Sequence, residues 1–166
     1  MNNPELDQRL KLTITTSLIE ILTDWLKITA ILEGHGTTLN EGLCYEFCSG
    51  IPFSGDISGE MFIGMDGYTR LLLLPYIVAH LEMEVTHPQL VDAAMNSLVF
   101  RIAKEFSEEL QEITRVNMHD PRSLNHKLVP LPQEKYRKYT MIYFLRDDEK
   151  KKYLGRIYLH LVLDKR

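Results

Sequence analysis

Cysteine is scarce in this chain, with two in 166 residues, and tryptophan scarcer, with one. Two cysteines cannot build the disulfide framework that staples small secreted domains. Cys44 and Cys48 lie four apart in a segment that reads as extended, where they share a face but stand too far apart to bridge easily, so buried free thiols are expected. Basic residues are also in deficit: 19 Lys and Arg face 23 Asp and Glu, a formal net charge of −4. That balance argues against a sequence-independent nucleic-acid binder, which needs a dense field of cations to displace phosphate counterions. Long apolar runs are missing as well. Leu71–Leu74 and Tyr76–Ala79 are interrupted by Pro75 and His80, far short of the roughly 20 residues that span a bilayer, so no membrane span is expected. The opening Met1-Asn2-Asn3-Pro4-Glu5 has neither the positive nor the apolar region of a secretory signal, which places the expected location in the cytoplasm.

The common catalytic signatures are absent too. There is no Gly-x-Ser-x-Gly elbow, and Gly64-Met65-Asp66-Gly67 lacks the Lys-Ser/Thr of a phosphate loop, so it reads as a strand-to-helix turn. The six histidines, at 35, 80, 87, 119, 126 and 160, never pair on one helix face, and no metal site is indicated; His119, Asp120 and His126 read as the polarity of a solvated loop.

What is present is ordinary globular composition, 45% apolar and 25% charged, in a length that suits one domain spanning residues 1–166. Asn3 suits an N-cap and Pro4 a first helical position. Leu18, Ile21, Leu22, Trp25, Leu26, Ala30 and Leu32 then recur at helical spacing, predicting a long helix that runs to Gly34-His35-Gly36. Gly42–Cys48 and Asp56–Met65 read as two strands, with Ser49–Gly55 as the turn between them. Tyr68–Glu82 reads as a second helix, kinked or started at Pro75.

The strongest helical signal follows. Thr86-His87-Pro88-Gln89 forms a capping box, and Val91, Met95, Leu98, Ile102 and Phe106 form an apolar stripe that carries a third helix to about Leu110. Val116–Pro132 reads as a long connection. Lys138–Leu145 and Ile157–Asp164 then form a hairpin turning through Asp147–Lys152. The expected fold is α+β, an antiparallel sheet flanked by long helices in the order α-β-β-α-α-β-β.

Chemistry is nominated mainly on the third helix, where Asp92, Asn96 and Ser97 are polar. Asp92 and Asn96 are four apart and so are neighbours on one face, an arrangement that can hold a partner's lysine and orient a water or can be plain solvated surface.

The element order, together with Ile57-Ser58-Gly59-Glu60-Met61, Val91-Asp92-Ala93 and the closing Tyr-rich hairpin, resembles the CheX and CheC family of chemotaxis phosphatases over most of the chain. The resemblance implies a partner, a phosphorylated CheY-like receiver, and a reaction, hydrolysis of its phosphoryl group by a Glu-x-x-Asn pair whose acid engages the receiver's lysine and whose carboxamide positions water. It implies no cofactor of the chain's own, the receiver supplying the divalent cation, and a homodimer made by sheet pairing, for which Leu154–Asp164 could supply the edge.

The motif is incomplete. Aligned on Val91-Asp92-Ala93, Asn96 falls where the Glu belongs and Val99 where the Asn belongs; with Asn96 taken as the Asn, its acid position is Ala93 and Asp92 lies one residue away. Two functions follow from the resemblance. One is a receiver-binding domain with weak phosphatase activity from Asn96 assisted by Asp92. The other is a noncatalytic interaction or dimerisation module in which Val99 joins Asp92 and Asn96 as a contact.

Overall fold

The structure is a computed structural model that describes residues 4–37, 40–81 and 88–165. The capping box from Thr86 and the N-cap assigned to Asn3 lie outside the described residues.

The first helix, α1 (Pro4–Leu26), buries Leu10, Ile14, Leu18, Ile21, Leu22 and Leu26 along one stripe, so packing holds it in spite of the β-branched Thr13, Thr15 and Thr16. It ends eight residues before the glycine pair expected to stop it. Lys27 takes a left-handed φ of 58°, and the Ile28 N–H turns back to the Leu22 carbonyl at 2.9 Å. Ala30 and Leu32 therefore belong to a strand, β1 (Thr29–Thr37), not to the helix.

The second correction concerns the segment Ser49–Gly55. Rather than a turn, it is the body of β3 (Phe47–Gly55), preceded by the short β2 (Gly42–Leu43) and followed, after a tight connection through Asp56-Ile57-Ser58, by β4 (Gly59–Met65). Pro52 survives mid-strand for a local reason. Its carbonyl accepts from His119 N–H at 2.8 Å on the side away from β4, so its nitrogen faces that side too. There the pairing is broken between two short strands, β5 (Val116–Met118) against residues 53–55 and β6 (Arg122–Ser123) against residues 49–50. No donor of the β3–β4 ladder is lost.

Asp66 closes the turn after β4 by accepting the Thr69 N–H on Oδ1 at 2.7 Å, the N-cap of α2 (Gly67–Leu81). Next comes α3 (Pro88–Leu110), with Met95, Leu98, Ile102 and Phe106 all buried as its stripe requires. The long connection that follows carries β5, β6 and β7 (Val129–Pro130), the last paired with β2. The hairpin of β8 (Tyr136–Asp147) and β9 (Lys152–Asp164) completes the chain as expected.

All pairings are antiparallel, and the main sheet runs β1-β8-β9-β4-β3-β5 with β6 also on β3. The α+β class holds, with strands added to the expected order. β9 lies in the middle of the sheet with β8 and β4 on its two sides, so it cannot supply a dimer edge; the long edge strand is β1.

One face of the sheet, with Ile51, Met61, Leu161 and Tyr143, packs under the three helices in a single core. The other is partly covered by a smaller cluster of Leu43, Cys48, Phe62, Leu124, Val129, Leu131 and Val162. Cys48 is buried there, while Cys44 is exposed, so only one of the two thiols is where composition placed it. Among the described residues, no helix is long and apolar enough to cross a membrane.

Two polar ties fix the helix layer to the hairpin. Buried Asp7 on α1 accepts from Arg137 Nε at 3.0 Å and Nη2 at 3.1 Å and from the Tyr139 hydroxyl, and Tyr76 on α2 donates to Asp147. At the start of α2, Gly155 of β9 adopts φ 100°, and any side chain there would run into Thr69, so the glycine lets helix and strand approach closely.

Candidate functional site on the third helix

The core stripe of α3 decides which of its residues face outward. Met95, Leu98, Val99, Ile102 and Phe106 all point inward, and Val99 is 0% exposed. Val99 is therefore corrected from a partner contact to a core residue: it offers no surface to a second protein. Ala93 and Asp92 are exposed and Asn96 is half-buried, with Phe100 continuing the outward line at 53% exposure. Asp92, Asn96 and Phe100 are spaced by four, so one stripe presents a carboxylate, a carboxamide and an aromatic ring in succession. Ser97, also nominated by sequence, turns its hydroxyl back to the Ala94 carbonyl at 2.6 Å and is occupied within the helix.

Asp92 has a partner on the neighbouring helix. Arg70 Nη1 of α2 stands 3.9 Å from its Oδ1, an ion pair too long for a hydrogen bond. The Nε of Arg70 is buried and has no hydrogen-bond partner among the described residues. Sequence reading missed Arg70 and Phe100. Phe100 was recoverable as the next four-residue step after Asn96, whereas Arg70 lies on another element and carried no local signal.

Further along, the Arg101 guanidinium lies over the Trp25 ring at 4.4 Å. The Glu105 carboxyl sits above its usual range because it is partly desolvated and has Glu109 and Glu108 beside it.

A second polar group lies on the other side of the sheet. Tyr45 Oη and His160 Nε2 are 2.6 Å apart, and Thr140 Oγ1 meets His160 Nδ1 at 2.8 Å. Burial pushes His160 down to about 4 and raises the Tyr45 hydroxyl well above the usual tyrosine value. Both imidazole nitrogens are engaged and the ring is desolvated, which makes this an internal tie rather than an exposed acid or base.

His119 is bound to Ser54 Oγ at 2.9 Å, and among the described residues no three His, Cys, Asp or Glu stand together as metal ligands would. A shallow groove is lined by Gln8, Leu12, Thr15, Leu32 and Met141, between α1 and the sheet, and none of the α3 residues lines it. An open groove lined by Phe100, Arg101, Lys104, Glu105 and Glu108 runs along α3 itself, so the candidate site is an exposed helix face with a shallow depression, suited to docking against another protein rather than to enclosing a small molecule.

No protein-family model matches the chain, and no curated protein does. Solved structures do. CheX from Desulfovibrio desulfuricans superposes with a TM-score of 0.75 at 10% identity, covering 93% of this chain and 99% of that one. A CheC-like superfamily protein from Shewanella sp. PV-4 gives 0.72 at 12% identity over 95% and 97%. CheX from Borrelia burgdorferi, solved in a complex with CheY, BeF3 and Mg2+, gives 0.64 at 14% identity over 94% and 98%. At such identities the likeness speaks for architecture, and over nearly its whole length this chain has the CheX-like fold.

Proposed function

We propose that this chain is a chemotaxis-type signalling domain that docks a phosphorylated CheY-like receiver on the outward stripe of α3 and hydrolyses its phosphoryl group weakly. One conjunction supports the reading: the fold is similar to that of a CheX solved with CheY, and Asn96 and Asp92 lie outside the core on the helix to which the resemblance assigns that chemistry. On docking, Asp92 accepts a hydrogen bond from the receiver's lysine. The Asn96 carboxamide orients a water for in-line attack on phosphorus; the new P–O bond forms as the acyl phosphate bond breaks, the receiver's aspartate leaves as carboxylate, and inorganic phosphate carries both of the water's protons away. The divalent cation comes with the receiver. Catalysis of this kind is positioning plus electrostatics, and the acid here is four residues from the carboxamide instead of three, so a slow reaction is expected.

A noncatalytic reading has its own support. The position three residues before Asn96 is Ala93, which has no carboxylate, and Asp92 is shared with Arg70. The test is phosphate release from the phosphorylated cognate receiver. Release above spontaneous decay that disappears in Asn96→Ala supports catalysis; binding without acceleration supports the module reading. A homodimer by sheet pairing belongs to the same proposal, and its surface is the free edge of β1 (Thr29–Thr37).

A further inference from the structure

Four arginines of this chain close on carboxylates with short bonds. Arg122 grips Glu60 at 2.7 and 2.6 Å, Arg137 grips Asp7 at 3.0 and 3.1 Å, Arg156 grips Glu33 at 2.7 and 3.0 Å, and Arg146 reaches Asp148. Arg70 differs. Its side chain is only 24% exposed, yet its buried Nε has no acceptor among the described residues, and its carboxylate neighbour stays at 3.9 Å. It also stands in the first turn of α2, the end where the helix dipole disfavours a cation. A guanidinium that is partly buried, loosely paired and badly placed for its own helix gives the free molecule little return. Its fork geometry suits an anion carrying several acceptor oxygens.

The location supplies the anion. Arg70 borders the α3 stripe at Asp92, so a group entering against Asp92 meets the guanidinium beside it. Resting on the docking reading above, we infer that Arg70 recognises the phosphoryl group of the receiver and is released for that purpose when Asp92 exchanges it for the receiver's lysine. The Arg70–Asp92 pair is then a resting contact that holds two docking groups near each other until a cation and an anion arrive together. An unphosphorylated receiver offers the lysine without the phosphoryl oxygens, so Arg70 gains nothing from it. Arg70 thereby sets the preference for the phosphorylated state, whereas Asn96 acts on the water.

The experiment is titration calorimetry of the full chain against the cognate CheY-type receiver, with and without beryllofluoride and Mg2+, for the wild type, Arg70→Gln and Arg70→Lys. The wild type is expected to bind the loaded receiver about tenfold more tightly than the unloaded one, the scale of a charge-assisted pair of bonds. Arg70→Gln brings that ratio to about one, and affinity for the unloaded receiver rises because nothing then competes with the receiver's lysine for Asp92. Arg70→Lys keeps the charge but loses the fork, and holds an intermediate ratio; should Arg70→Gln fail to fold, this variant carries the test alone. A loaded-to-unloaded ratio that stays at the wild-type value in the variants overturns the role of Arg70 while the docking reading stands. Failure of the wild type to bind the receiver in either state overturns both.

Discussion

Asn96 and Val99 are three residues apart on α3, yet they stand on opposite sides of the helix's boundary with the core: Asn96 is half-buried at the surface, and Val99 is sealed at 0% exposure. Of the two ways to set a Glu-x-x-Asn pair on this helix, the one that puts the carboxamide at residue 99 would drive it into a packed apolar interior. A buried amide without partners costs about 1–3 kcal/mol beyond the lost packing. Val99→Asn is therefore expected to lower stability by at least about 2 kcal/mol in urea unfolding and to restore no activity.

Ala93→Glu is the opposite case. Residue 93 is exposed, so the carboxylate enters without desolvation and completes Glu-x-x-Asn with Asn96. Phosphate release from the loaded receiver should rise by about tenfold or more over the wild type, as expected when a missing positioning group is supplied. An unchanged rate would place the reacting geometry elsewhere.

His160 predicts a pH dependence of stability. Burial lowers its pKa from 6.5 to about 4, so between those values the unfolded chain binds a proton that the folded chain refuses. Stability from this group is complete above about pH 6.5, falls as pH drops toward 4, and levels off below. The total is about 3 kcal/mol by linkage. Urea unfolding at pH 7, 6 and 5 should show the decline for the wild type and a flatter profile for His160→Gln, whose Tyr45 and Thr140 neighbours keep a polar partner.

Asp7→Ala should be the most damaging of these changes. It leaves Arg137, 16% exposed at the side chain, without its carboxylate and removes the acceptor of the Tyr139 hydroxyl. Breaking one partner of a buried pair costs about 3 kcal/mol or more. Asp66→Ala, which strips the cap from α2, should cost about 1 kcal/mol. Thermal denaturation separates the two.

Much of this architecture was legible in the chain because its signals were periodic. The stripe from Met95 to Phe106 and the alternation in Ile157, Leu159, Leu161 and Leu163 each depend on one local repeat, and α3 and the closing hairpin formed where those repeats are. The end of α1 was hidden because Lys27, not a glycine, takes the left-handed position, while Ala30 and Leu32 happen to continue the helical spacing into a strand. β3 was hidden because Gly50, Pro52 and Gly55 carry turn chemistry, and only the gap between β5 and β6 explains why a proline is tolerated there.

At the candidate site, residues on one helix could be sorted by its wheel. Val99 is four residues from Met95 and three from Ile102, which puts it on the core side, and Phe100 follows Asn96 on the outer side. Arg70 depends on how α2 packs against α3, which no local pattern encodes.

The central claim is that the outward stripe of α3 docks a phosphorylated receiver. Its most direct test is titration of the beryllofluoride- and Mg2+-loaded cognate receiver into the wild type and into Phe100→Glu, a surface change one helical turn from Asn96 that leaves the core stripe intact. Saturable binding by the wild type, weakened about tenfold or more in Phe100→Glu, is the predicted result. Equal affinity of the two proteins for the receiver, or no binding by either, would contradict it.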